Sequence, residues 1–159
     1  MFRISRKLDY GIQLMVALAK DSDGKPIPTA KLSELLDIPL PFLHQIGHSL
    51  MQAGLIKASP GPRGGIRLSQ SAEEITVLEI AESLEGKICL SSCISDQDSC
   101  DKFDDCTSQA MWSSMQNKII SYLGGINLDI LAKKELADEL FKEIASDDEE
   151  EQEEEQEFA

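Results

Sequence analysis

Apolar residues recur at three- and four-residue spacing from the start of the chain, where Ile4, Leu8, Ile12, Met15, Val16 and Ala19 mark one face of a first helix. The pattern stops in the turn-rich segment Asp21-Ser22-Asp23-Gly24-Lys25-Pro26. Thr29 is placed to cap a short second helix carrying Leu32, Leu35 and Leu36 on one side. Pro39 and Pro41 punctuate the chain after it, and Pro41 suits the first turn of a third helix, where its missing N–H costs no hydrogen bond. In that helix Phe42, Leu43, Ile46 and Leu50 form the inward stripe, and His44, Gln45, His48, Ser49 and Gln52 fall on other faces. A short helix, a tight connection and a polar-faced helix predict a helix-turn-helix.

Beyond the third helix, Ala53-Gly54-Leu55-Ile56-Lys57 leads into Ser59-Pro60-Gly61-Pro62-Arg63-Gly64-Gly65 and then Ile66-Arg67-Leu68. Two extended pieces around a Pro/Gly-rich turn predict a hairpin wing. Arg63 lies at its tip, where it can reach a phosphate or a narrow minor groove. Thr76 with Glu79 is a capping-box pair that starts a helix with Ile80, Ala81 and Leu84 inward, closed by Gly86. Further on, Met111, Trp112, Met115, Ile119, Tyr122 and Leu123 form a stripe that stops at Gly124-Gly125. A last helix, Asn127 to Ala145, carries Leu128, Leu131, Leu136, Leu140 and Ile144 and folds back.

These elements predict a mainly α fold with a small β-hairpin wing: a winged helix-turn-helix plus a long dimerisation helix. The long stripe lies outside the winged-helix core, and helix-turn-helix proteins commonly meet two half-sites as two-fold dimers. The expected organisation is a DNA-binding domain over residues 1–86, a cysteine-rich loop over 87–106, dimerisation and C-terminal helices over 107–146, and an acidic tail over 147–159.

Length and charge sharpen this picture. The 159 residues are enough for one compact body. The net charge of −14 argues against a nucleic-acid partner until it is mapped along the chain. Residues 1–70 carry nine Lys or Arg against five Asp or Glu, whereas residues 71–159 carry six against twenty-four. The reading head is therefore basic and the remainder acidic. Nine of the eleven residues from Asp147 to Glu157 are acidic, a run that repels itself and is expected to be disordered. It acts as a solubilising tail or as a brake on non-specific DNA contact. No apolar run approaches the ~18 residues that span a bilayer, and the start has no signal-peptide core, so a cytoplasmic protein with no membrane partner is expected.

Chemistry concentrates in Cys89, Cys93, Cys100 and Cys106, in a stretch rich in Ser, Asp and Gln. In a reducing compartment such thiols serve as metal ligands or redox groups rather than as a disulfide framework. Only Cys89 and Cys93 are close in sequence, whereas structural zinc sites usually show two close pairs. Iron–sulfur clusters take thiolates from irregular loops. Spacing leaves open a cluster, a zinc site, a thiol–disulfide switch and inert thiols. His44 and His48 lie one turn apart, a spacing that can hold a metal, yet nothing nearby supplies a third ligand. His44, Gln45 and His48 read instead as DNA-facing residues, since Gln can contact adenine through two hydrogen bonds. No nucleophile, base and orienting group form a set, so an enzyme is not expected.

The opening Arg3-Ile4-Ser5-Arg6-Lys7-Leu8-Asp9-Tyr10, the segment from Ile38 to Gln45, the wing Gly61-Pro62-Arg63-Gly64-Gly65, the stretch Glu74 to Ile80 and three cysteines before Trp112 resemble the Rrf-two superfamily of winged-helix transcriptional regulators, of IscR and NsrR type. The resemblance runs from the N-terminus to about residue 135 and leaves the acidic tail outside. It implies a homodimeric regulator, usually a repressor, that binds a double-stranded DNA operator. It also implies an iron–sulfur cluster, [2Fe-2S] or [4Fe-4S], that reports redox state, nitric oxide or cluster supply. By position Cys93, Cys100 and Cys106 match the cysteine ligands. IscR-like members place a histidine where this chain has Gln109, so that ligand set is not reproduced. NsrR-like members can use an acidic residue of the partner's first helix, which Asp9 matches, and Cys89 is a local competitor for the fourth position. The wing departs from the family pattern, with Pro60 before its Gly-Pro and the arginine later, so operator specificity does not carry over. The alternative is a winged-helix repressor with a structural zinc site or no metal, insensitive to redox state.

Overall fold

The computed structural model describes residues 3–20, 24–96 and 106–142. The expectations for Asp21 to Asp23, for Cys100 and for the acidic tail fall outside the described residues. The chain runs α1 (Arg6–Lys20), α2 (Thr29–Leu36), α3 (Leu40–Gln52), β1 (Ile56–Ser59), β2 (Gly65–Leu68), α4 (Val77–Glu85), α5 (Ser92–Ser95), α6 (Thr107–Gly125) and α7 (Leu128–Ala132), followed by a helical segment over 134–142.

The core gathers the inward positions of the first four helices and the hairpin. Leu14, Leu32, Leu43, Ile46, Leu50 and Ile80 are fully buried in one cluster, each removal from water being worth ~1.5–3 kcal/mol. The buried face of α1 is rotated from the expected stripe. Gly11, Leu14, Met15 and Leu18 are buried, while Ile4 stays 74% exposed. The cause is that α1 is enclosed by α2, α3, α4 and α7, so a wider arc than a single stripe faces inward. Gly11 sits where α4 comes closest: a Cβ there would lie 2.1 Å from Leu84 Cδ1.

The N-cap of α2 is Pro28 rather than Thr29, and no side chain caps that end. Thr29 enters the first turn, and its hydroxyl is spent on α3 instead. Asp37 adopts left-handed backbone (φ 52°) at the C-cap of α2, which turns the chain into Pro39 and α3. Pro41 occupies the first turn of α3 as its geometry demands. The α4 capping box forms: Thr76 Oγ1 accepts from the Glu79 N–H at 3.2 Å, and Glu79 Oε2 accepts from the Thr76 N–H at 2.8 Å.

β1 and β2 pair antiparallel, with Lys57 opposite Arg67 and Ala58 opposite Ile66. A third backbone segment joins them, because Ile27 and Ile66 exchange two hydrogen bonds of 2.9 Å. This close approach explains Gly65, whose φ is +156° and whose added Cβ would fall 2.1 Å from the Ile27 carbonyl oxygen.

After α6 the chain returns to the core through bonds from the Val77 N–H to Ile126 O and from the Leu128 N–H to Ile75 O. The continuous last helix expected from Asn127 to Ala145 is not observed. Asn127 caps α7, which ends at Lys133 in extended backbone before helix resumes over 134–142. No Gly or Pro marks the break. Across it, Leu128 and Ala137 are buried while Leu136 is left 43% exposed. Ile144 and Ala145 lie outside the described residues.

Candidate DNA interface and cysteine site

Because Leu43, Ile46 and Leu50 point into the core, the remaining face of α3 must meet solvent. His44, Gln45 and His48 are all exposed on it. The His44 imidazole Nε2 lies 3.3 Å from Thr29 Oγ1, which ties the start of α2 to α3 and orients the ring. Gln45 keeps its side chain outward, and its carbonyl accepts from Ser49 Oγ at 3.4 Å. Arg63 is exposed in the turn between β1 and β2.

The hairpin adds two residues that the sequence reading missed. Lys57 and Arg67 face each other across the strands, and both are exposed. Like charges opposite one another cost energy in isolation, a cost that an anion such as a phosphate removes. The alternation was the available signal: Ile56, Ala58, Ile66 and Leu68 share one face of the hairpin, which leaves Lys57 and Arg67 on the other.

The cysteine segment is not a bare loop. Cys93 sits in the single helical turn of α5, which packs on α6, and Cys106 is the N-cap of α6. Both are half-buried, whereas Cys89 is exposed. Among the described residues no side chain caps the start of α6, and its first turn holds no acidic residue. The N-terminal end of this 19-residue helix, whose dipole favours negative charge, lies at Cys106. Gln109, at the position of the IscR-type histidine, donates from Nε2 to Ser113 Oγ at 3.1 Å. Asp9 is exposed in the first turn of α1 and accepts from Gln13 Nε2 at 3.0 Å. Among the described residues, no three His, Cys, Asp or Glu side chains gather at one metal-sized point.

α6 contains no buried residue. Met111 is 54% and Tyr122 45% exposed. Between α6, the segment 86–90 and the start of α1 lies a cleft of about 510 Å³ whose walls include Ile4, Leu8, Cys89, Met115, Ile119 and Leu123. Its rim is tied by Ser5 Oγ donating to Glu85 Oε1 at 2.8 Å and by Lys7 Nζ donating to the Leu84 carbonyl.

The model of the Rrf2 family, described as iron-dependent transcriptional regulators, matches residues 4–134. The chain belongs to the Rrf2 family. It is 31% identical over 133 residues to the transcriptional regulator IscR of Xenorhabdus nematophila, covering 84% of this chain and 80% of that one. In three dimensions it is similar to CymR, the global cysteine regulator of B. subtilis, with a TM-score of 0.71, 26% identity and coverage of 84% and 98%. It is also similar to the T. potens IscR, with a TM-score of 0.68, 27% identity and coverage of 86% and 90%. The Rrf2 chain is thus a winged-helix, DNA-binding transcriptional regulator, and its relatives are regulators rather than enzymes. No helix among its described residues is long and apolar enough to cross a membrane.

Proposed function

We propose that this regulator represses transcription as a cytoplasmic homodimer and responds to redox state, nitric oxide or cluster supply through an iron–sulfur cluster held by Cys93, Cys100 and Cys106. The observation that carries the reading is the joint between thiols and helix. Cys93 rides on α5 against α6, Cys106 starts α6, and α6 buries none of its residues fully within its own chain. The donor set suits the group, since half-buried cysteine sulfurs at the joint of α5 and α6, one of them at a helix N-terminus, accommodate an anionic cluster. The IscR relatives and the iron-dependent character of the family support the same assignment.

In this scheme the cluster, when bound, supplies a redox- and nitric-oxide-sensitive anchor. The rest is done by the chain. Ligation of the cysteines shifts α6 against α1, the half-exposed faces of two α6 helices pair, and the pairing fixes the distance between two α3 helices. That distance must match half-sites about one DNA turn, ~34–36 Å, apart. The fourth ligand is Asp9 of a second copy, an acidic residue exposed in the first turn of α1. The exposed α3 residues His44, Gln45 and His48 meet base edges, and Arg63 meets phosphate or the minor groove.

Anaerobic purification with iron and sulfide analysis, a visible spectrum and operator titration test the proposal. The expected result is coloured, iron- and sulfide-containing protein, with Cys100→Ala losing both colour and the cluster-dependent change in operator affinity. The likeness to CymR, a global cysteine regulator, favours a second reading, a winged-helix regulator without an iron–sulfur cluster. Colourless protein with full operator affinity, isolated without air, would establish that reading and remove the first; zinc in that protein would mark a structural site instead.

A further inference from the structure

Cys89 is the thiol that neither the reading head nor the proposed ligand set uses. Its Sγ donates to the Ser91 carbonyl at 3.1 Å, and Ser91 Oγ lies 3.1 Å from Cys93 Sγ. One residue therefore holds both sulfurs. The backbone between them is fixed to the long helix, because the Leu90 N–H donates to Gln116 Oε1 at 2.9 Å. The helical turn carrying Cys93 is four residues long, and its N-cap Ser91 makes no side-chain capping bond, so little resists its remodelling. Cys106 is a poor rival for Cys89, since it starts α6 whereas the Leu90 anchor lies ten residues further along.

We infer that Cys89 and Cys93 form a disulfide when a hydroperoxide meets the cluster-free protein, and that the bond withdraws Cys93 from the metal site. The disulfide stands on the geometry alone, while its effect on cluster loading rests on the function proposed above. The exposed Cys89, as thiolate, attacks the terminal oxygen of hydrogen peroxide; the O–O bond breaks, hydroxide leaves and is protonated to water, and Cys89 becomes a sulfenic acid. The Cys93 thiolate then attacks that sulfur, the S–S bond forms, and a second hydroxide leaves and is protonated to water. The two sulfurs together lose two electrons, and one peroxide becomes two waters.

A disulfide requires an S–S distance of about 2.05 Å and Cα atoms within ~6.8 Å. Closing it obliges residues 90–92 to tighten and Ser91 to release both sulfurs. The Leu90 to Gln116 bond transmits that change to α6, so oxidation of the pair reaches the helix that carries the bare apolar face.

The test uses the full chain, isolated without air, stripped of metal with a chelator, treated with hydrogen peroxide, alkylated and cut with trypsin and an Asp-directed protease. The peptide Ile88 to Ser95 contains only Cys89 and Cys93. It is expected to be two hydrogens lighter and unalkylated, and Cys89→Ser is expected to abolish that species. Reloading with iron and sulfide is expected to be at least several-fold slower after oxidation, with reductant or Cys89→Ser restoring the rate. A fully alkylated 88–95 peptide, or Cys93 joined to Cys100 or Cys106, overturns the inference; so does a Cys89–Cys93 bond that leaves reloading unchanged. Reduced protein that takes up no iron at all removes the cluster reading instead, and the peptide assay still decides the disulfide.

Discussion

The residues proposed to face DNA divide by what they can recognise. Gln45 presents one donor and one acceptor from the exposed face of α3, a pattern that matches adenine. Gln45→Ala is expected to lower operator affinity by ~1–3 kcal/mol and to relax preference at one base pair, as read by titration against single-base operator variants. Lys57, Arg63 and Arg67 are exposed charges on the hairpin and carry no base code. Arg67→Ala should weaken binding to all sequences alike and flatten the logarithmic salt dependence by about one unit. An unchanged slope would show that this charge meets no phosphate. At the same scale, Gly65→Ala forces a Cβ against the Ile27 carbonyl, so a stability loss above about 1 kcal/mol is expected in urea titration.

Among the elements, α6 and α4 behave in opposite ways. α4 is locked into the core by Val77, Ile80, Ala81 and Leu84 and starts from a complete capping box. Thr76→Ala should cost ~0.5–2 kcal/mol of stability with oligomeric state unchanged. α6 is the reverse, a helix of 19 residues without a buried side chain. Met111→Glu with Tyr122→Glu should leave the melting temperature of the winged domain almost unchanged and convert dimer to monomer in sedimentation. A dimer that survives both charges would move the subunit contact elsewhere. The expectation of one last helix failed at Lys133 for a related reason: the 3.6-residue pattern of Leu128, Leu131, Leu136 and Leu140 is compatible with one helix, but burial of Leu128 and Ala137 requires two.

For the whole molecule the decisive property is the division of charge. Removing residues 147–159 takes away nine of the carboxylates behind the net charge of −14 and leaves −5. The truncated chain is expected to bind non-specific DNA more tightly at low salt while its operator preference narrows, measured by competition with unrelated duplex. Equal non-specific affinity for both chains would reduce the tail to a solubility element.

The sequence by itself determined what depends on neighbours along the chain. Periodicity places α1 to α4, Pro41 and the Thr76/Glu79 pair set their starts, and Ile66 with Leu68 already commits Arg67 to the outer face of the wing. The cysteine spacing raised metal or redox chemistry as an expectation, because four thiols so close together are rarely packing residues. Tertiary structure decided what depends on residues far apart in sequence. It turned α1 to bury Leu14 and Leu18 among four helices, moved Thr29 from cap to His44 partner, brought Ile27 against Gly65 and pinned Leu90 to Gln116. Local pattern carries no record of such contacts, since each becomes favourable only once the other segment has arrived.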